Sequence, residues 1–201
     1  MKIKNIALVG NPNCGKTSLF NTLTGTRQKV ANYAGVTVER KEGSFNLPSG
    51  DAIRVLDLPG TYSLKPSSLD EEVTRAVCLG ELKGEILPDI FICVVDATNL
   101  SLHLSLVLEV RALNRPMILV LNMMDEVKKR GISIDKDKLS QLLGIPVVEA
   151  VAVKTKGIQD LINQLDQKNL FITPYHSELS HFEQVKQITK QVILNNDNGD
   201  K

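Results

Sequence analysis

Residues 10 to 17 read Gly-Asn-Pro-Asn-Cys-Gly-Lys-Thr, and their types and spacing suit one task, holding a chain of phosphates. They follow the apolar run Ile6-Ala7-Leu8-Val9 and precede the helix-forming stretch Ser18-Leu19-Phe20-Asn21-Thr22-Leu23, the strand–loop–helix context that a phosphate-binding loop requires. Gly10 and Gly15 let the backbone curl so that successive N–H groups point inward, and the positive end of the following helix adds to the pull on an anion. Lys16 can reach the β- and γ-phosphates, and the Thr17 hydroxyl can sit on Mg²⁺. The stretch Gly10, Asn11, Pro12, Asn13, Cys14, Gly15, Lys16, Thr17 and Ser18 is therefore read as nucleotide-contacting.

Three further groups fall where strands should end. Asp57-Leu58-Pro59-Gly60 closes an apolar run. Asp57 can hold Mg²⁺ through water there, and Gly60 can turn its N–H toward a γ-phosphate, so that the segment senses hydrolysis. Asn122-Met123-Met124-Asp125 closes another run. A carboxylate at Asp125 can accept both N1–H and N2–H₂ of guanine, donors that adenine lacks in that arrangement, which selects GTP over ATP. Met123 stands where a lysine is usual in this pattern, and its stem can still cover the base. Ala152-Val153-Lys154 can offer a backbone N–H to the guanine O6. Thr37, in the stretch before the second strand, could complete the Mg²⁺ shell with its hydroxyl when a γ-phosphate is present, with Gly35 and Val36 beside it.

These groups need a scaffold, and 201 residues leave room for one ordinary domain and a short appendage. The chain is 42% hydrophobic with a formal net charge of +1, enough to bury a core and without the basic block of a nucleic-acid binder. Cys14, Cys78 and Cys93 cannot close a disulfide framework and show no metal-ligand spacing, so a reducing compartment is expected. Cys93 reads as core, and Cys14 either as a small residue that fits the loop or as a redox-sensitive thiol. No leader is apparent, and no apolar run approaches the ~18 to 20 residues needed to cross a bilayer.

Residues 25 to 37 read as a long loop, 38–47 and 52–57 as two strands joined by a turn at 47–51, and 68 to about 84 as a helix opened by Ser68-Leu69-Asp70-Glu71. The continuous apolar run 90–95 fits a parallel strand covered on both faces. A Leu-rich helix (100–113), a strand (116–121), a charged helical segment (126–143), a strand from Pro146 and a helix (157–165) follow. The alternation predicts an α/β doubly wound sheet with helices on both faces and ligands at the carboxyl ends of the strands. Beyond residue 166, Leu179, Phe182, Val185, Ile188, Val192 and Ile193 recur at roughly helical spacing, and the polar end from Asn195 reads as disordered. One amphipathic helix cannot bury that face alone: it docks on the main domain or opens a helical domain.

The order of these pieces resembles the small GTPases, which implies a mostly parallel six-stranded sheet of order 2-3-1-4-5-6 with the second strand antiparallel. The phosphate loop, Asn32-Tyr33-Ala34-Gly35-Val36-Thr37-Val38-Glu39, Asp57-Leu58-Pro59-Gly60-Thr61-Tyr62-Ser63-Leu64, Asn122-Met123-Met124-Asp125 and Gly131-Ile132-Ser133-Ile134-Asp135 together resemble the ferrous-iron transport protein B family. The resemblance covers about residues 1 to 166. Cys14 stands where many members carry serine, Tyr33-Ala34 where many carry Trp-Pro, and Ala152 where serine is common. It implies a GTP-binding domain over 1–166, the start of a helical regulatory domain over 167–201, and a membrane permease for Fe²⁺ as partner in the full-length protein. That places the chain at the cytoplasmic face of the bacterial inner membrane, with homo-oligomers possible there and no nucleic-acid partner. It also implies K⁺ as a cofactor beside GTP/GDP and Mg²⁺, held by the Asn13 side chain and the backbone carbonyls of Ala31 and Tyr33. Residue 61 is threonine, not the glutamine that orients water in many GTPases, so hydrolysis is expected to be slow, with Lys16, Thr37, Gly60 and Asn13 as its working residues. The competing readings are a ribosome- or tRNA-acting GTPase and a non-catalytic nucleotide-binding module.

Overall fold

The computed structural model describes residues 3–150, 155–167 and 173–195. In chain order the elements are β1 (Asn5–Val9), α1 (Lys16–Thr24), β2 (Gln28–Asn32), β3 (Glu39–Asn46), β4 (Ala52–Asp57), α2 (Leu69–Leu79) and β5 (Ile90–Asp96). A 3₁₀ turn (Ala97–Asn99) then leads into α3 (Leu100–Ala112), followed by β6 (Met117–Asn122), α4 (Met124–Lys129), β7 (Ile132–Ile134) and α5 (Lys136–Leu143). The chain closes with β8 (Val147–Glu149), α6 (Thr155–Asp166), α7 (His181–Val192) and β9 (Ile193–Asn195).

Among these elements the main sheet has seven strands in the order β2-β3-β4-β1-β5-β6-β8. β3 runs antiparallel to β4, while β4, β1, β5, β6 and β8 pair in parallel. Without β2 this is the expected six-stranded order. Successive residues of a strand face opposite sides, and β1 from Ile6 and β5 up to Val95 are apolar at every step, so they feed two cores. Ile6, Leu8, Ile90 and Ile92 meet Leu19, Phe20 and Leu23 of α1 and Leu161 and Leu165 of α6. Ala7, Val9, Phe91 and Cys93 belong to the other core, with Val73 and Val77 of α2 and Leu104 and Val107 of α3.

The structure departs from the sequence reading in three places and takes one of the two alternatives left open in a fourth. The expected long loop at 25–37 contains β2, which pairs antiparallel with β3 from Gln28↔Gly43 to Asn32↔Glu39. All five of its residues are exposed, so it leaves no burial pattern to read. α2 ends at Gly80, not near Gly84, because Gly80 takes the left-handed conformation at φ 73°. The charged segment 126–143 is not one helix: Gly131 (φ +69°) ends α4, and β7 intervenes before α5. The C-terminal helical pattern is α7, and it docks: Val185, Ile188 and Val192 enter the same core as α3 and α5, while β9 pairs with β7. Ser180 and Glu183 form a capping box at its start. The expected disordered tail lies, from residue 196 onward, outside the described residues.

Candidate functional site

The phosphate loop joins β1 to α1 at the carboxyl edge of the sheet. Gly15 begins the helix at φ +92°, and a Cβ on it would lie 2.0 Å from Asn122 Nδ2. That close approach is used: Asn122, the last residue of β6, donates from Nδ2 to the Cys14 carbonyl at 2.9 Å. The strand end proposed to read the base is thus fastened to the loop proposed to hold phosphate. Met123 follows at φ 61° and turns the chain into α4, which presents half-buried Asp125 in its first turn.

Lys16 is buried, and its Nζ donates to Asp57 Oδ1 at 2.7 Å. Thr17 donates its hydroxyl to the other carboxylate oxygen, Oδ2, at 3.1 Å. Asp57 ends β4 and is itself buried, because Leu8↔Asp57 pairing sets it beside the root of the phosphate loop. These three side chains line a cleft of about 250 Å³ with Val38, Glu39, Lys41, Leu58, Pro59, Gly60 and Asp70. Gly60 lies against the loop as well: a Cβ there would meet the Cα, N and Cγ of Pro12 at 3.1 Å. Thr61 N–H donates to the Gly10 carbonyl at 3.1 Å, and Thr74 of α2 donates to the Pro59 carbonyl at 2.8 Å.

The other expected residues stand as follows. Cys14 is buried, and burial above all pushes its thiol up, so at neutral pH it is a protonated core group. Cys93 is likewise buried with its thiol raised, and Cys78 is pushed up to about 12 by burial. Asn13 is exposed at φ 63° on the phosphate loop. Among the described residues, buried Asn11 has no hydrogen-bond partner on either side-chain polar atom. Thr37 is exposed in the turn before β3, one residue short of cleft-lining Val38. Gly35 and Val36 share that turn, and Val36 N–H donates to the Tyr33 carbonyl at 3.2 Å. Ala31 and Tyr33 line a second cleft, beside Arg40 and the loop Leu82–Glu85. Tyr33 is buried with its hydroxyl unpartnered among the described residues, and burial pushes that hydroxyl's pKa up. Ala152, Val153 and Lys154 lie outside the described residues.

A model of the N-terminal part of ferrous iron transport protein B matches residues 4–165. The chain belongs to the ferrous iron transport protein B family. The Fe(2+) transporter FeoB of Salmonella typhimurium is 47% identical over 173 residues, which is 84% of this chain and 22% of that protein. The chain thus spans about a fifth of the length of the curated relatives it matches. The cytosolic domain of L. pneumophila FeoB superposes with a TM-score of 0.86 at 33% identity, over 95% of this chain and 100% of that one. The cytosolic domain of the T. maritima FeoB iron transporter in its GMPPNP form gives 0.81 at 33% identity, over 96% and 100%.

Two charged residues of α3 that no motif singled out make buried or half-buried polar contacts, and the first of them reaches the segment after Gly60. Glu109 of α3 accepts from the Ser63 hydroxyl at 2.9 and 3.0 Å and from Leu64 N–H. Arg111, two residues on, is buried and donates to the Leu143 and Thr173 carbonyls. The available signal was the pair of charges in Leu108-Glu109-Val110-Arg111, inside a helix with no other Asp, Glu, Lys or Arg. Among the described residues, no helix is long and apolar enough to cross a membrane, and no group of three or more His, Cys, Asp and Glu side chains could hold a metal ion.

Proposed function

We propose that the chain is a GTPase module, residues 1–166 binding and slowly hydrolysing GTP and residues 167–201 opening a helical regulatory domain. The module would regulate the membrane permease of a larger protein that takes ferrous iron across the bacterial inner membrane. The observation that carries the reading is the union of Lys16, Thr17 and Asp57 on one cleft with Asn122 bonded to the phosphate loop. The residues proposed for phosphate and for the base are thereby joined by a hydrogen bond. The nucleotide-bound relative and the match to iron transporters support the nucleotide and the cargo respectively.

Among the described residues Lys16 pairs with the Asp57 carboxylate, so a bound phosphate competes for its ammonium. The Thr17 hydroxyl and Asp57 Oδ2 are hard oxygens 3.1 Å apart, which fits Mg²⁺ held by Thr17 directly and by Asp57 through water, with phosphate oxygens completing the set. When bound, the ion neutralises charge on the phosphates. Thr61 is fully buried and its hydroxyl donates to the Ser63 carbonyl at 2.6 Å, so this side chain is committed within its own segment. That supports slow hydrolysis, with water held by backbone groups. Of the oxygens proposed for K⁺, the Asn13 side chain is exposed on the phosphate loop, and Ala31 and Tyr33 line the second cleft.

The test is a competition titration of a fluorescent GDP, followed by phosphate release in Mg²⁺. GTP and GDP should displace it and ATP should not, and the release of phosphate should be slow. Equal displacement by ATP would overturn the base-reading assignment, and absence of phosphate release would leave a binding module only.

A further inference from the structure

The segment after Gly60 is held from two sides. On the phosphate-loop side, Thr61 N–H donates to the Gly10 carbonyl at 3.1 Å. On the far side, Ser63 and Leu64 are bound to α3 by a single carboxylate, Glu109. The two attachments are joined by short bonds. The Thr61 hydroxyl donates to the Ser63 carbonyl at 2.6 Å and accepts Ser63 N–H at 3.3 Å, while Lys65 N–H donates to the Ser63 hydroxyl at 3.0 Å. Hydrogen bonds to an ionised acceptor are about twice as strong as neutral ones, so Glu109 is the strongest hold on this stretch that α3 supplies.

We propose that Glu109 is a positioning residue for the nucleotide site: it latches Ser63 and Leu64 to α3 and so holds Asp57–Leu64 in the arrangement in which Asp57 engages Lys16. The inference rests on the guanine-nucleotide reading above. A triphosphate competes for Lys16, and in that reading its γ-phosphate also takes the N–H of Gly60, which packs on Pro12. Both changes pull on a segment whose other end Glu109 keeps fixed. The latch therefore favours diphosphate over triphosphate, and its strength sets how readily the segment answers to a γ-phosphate.

The experiment compares the parent chain with Glu109→Ala, Glu109→Gln, Ser63→Ala and the Glu109→Ala/Ser63→Ala double variant. Affinities for GDP and for a non-hydrolysable GTP analogue are measured by titration, and hydrogen exchange at Leu64 N–H is measured without nucleotide. Glu109→Ala should shift the triphosphate-to-diphosphate affinity ratio toward triphosphate by about three- to tenfold. Ser63→Ala should shift it less, and the double variant no further than Glu109→Ala, because both act through one contact. Glu109→Gln, which keeps the shape and one acceptor, should recover part of the effect. Leu64 exchange should quicken in Glu109→Ala while the melting temperature stays close to the parent's. An unchanged affinity ratio, or additive effects in the double variant, overturns the proposal, as does unchanged Leu64 exchange. A parent chain that bound neither nucleotide would overturn the functional reading and the role in nucleotide choice with it. Because Leu64 exchange is read without nucleotide, that result stays distinct from failure of the latch.

Discussion

Asp57 serves two donors with two separate oxygens, Lys16 on one and Thr17 on the other, so each residue of the trio can be tested by what it gives up. Thr17→Ala removes the hydroxyl proposed for Mg²⁺ and leaves the Lys16–Asp57 pair standing. Triphosphate binding and hydrolysis should then lose most of their Mg²⁺ dependence, read as the Mg²⁺ concentration for half-maximal turnover. An unchanged Mg²⁺ dependence would remove Thr17 from the metal. Asp125→Asn inverts one hydrogen-bond partner of the base. GTP affinity should fall by about 10²-fold or more, and xanthosine triphosphate, whose ring carries an acceptor where guanine has a donor, should gain. A variant that still bound GTP as the parent does would show that Asp125 is not the reader. For Asn13, exposed on the phosphate loop, the expectation is faster hydrolysis in K⁺ than in Na⁺, abolished by Asn13→Ala with nucleotide binding largely intact. Equal parent rates in the two salts would dismiss the cation, and a K⁺ effect surviving the substitution would dismiss the residue.

At the scale of elements, what the sequence made legible follows from burial. β5 and β6 are apolar at nearly every position because both faces are covered, and the phosphate loop needs its glycines wherever it occurs. β2 stayed hidden because an exposed edge strand of Gln-Lys-Val-Ala-Asn has no core to alternate against. The polar bonds between elements stayed hidden too, since Glu109 or Thr74 finds its partner only once α2 and α3 are packed. The same holds for the four-charge network that ties β3 and β4 to the loop before β5. Arg40 and Arg54 reach Glu85 at 2.7 and 2.6 Å, and both also pair with Glu42. Burial alone would raise the Glu85 and Glu42 carboxyls, yet the two guanidinium groups outweigh it and hold both below the usual range. A carboxyl lowered in the folded state contributes stability that is present above its unfolded value, about 4.3, and lost as pH falls through the folded value. Glu85→Gln should therefore destabilise by about 1 to 3 kcal/mol at neutral pH. Its denaturation curve should converge with the parent's as pH drops below about 4. A constant gap across that range would mean that Glu85 acts by packing, not charge.

Across the whole molecule α3 lies between the candidate site and the C-terminal segment. Glu109 holds Ser63–Leu64, and Arg111, two residues along, holds residues 173–175. The guanidinium donates from Nε to the Leu143 carbonyl at 2.9 Å and from Nη2 to Thr173, and it stands 5.1 Å over the Tyr175 ring. Tyr175 in turn donates its hydroxyl to Gln184 of α7 at 2.6 Å. Burial lowers the Arg111 pKa, but a guanidinium stays charged throughout the ordinary pH range, so this is a permanent pin. A lysine has neither the planar fork nor the reach to serve both carbonyls. Arg111→Lys should therefore cost about 2 to 3 kcal/mol, a fall of roughly 5 to 10 °C in melting temperature for a chain of this size. The loss should be local first. Amide exchange in α7 should quicken well before that in β1 and β5, because α7 keeps only Val185, Ile188 and Val192 in the shared core once the pin is gone. Equal quickening in α7 and the central strands would make segment and sheet one cooperative unit. Unchanged exchange in α7 would show that its apolar face alone secures it, and that Arg111 serves only the α3–α5 contact.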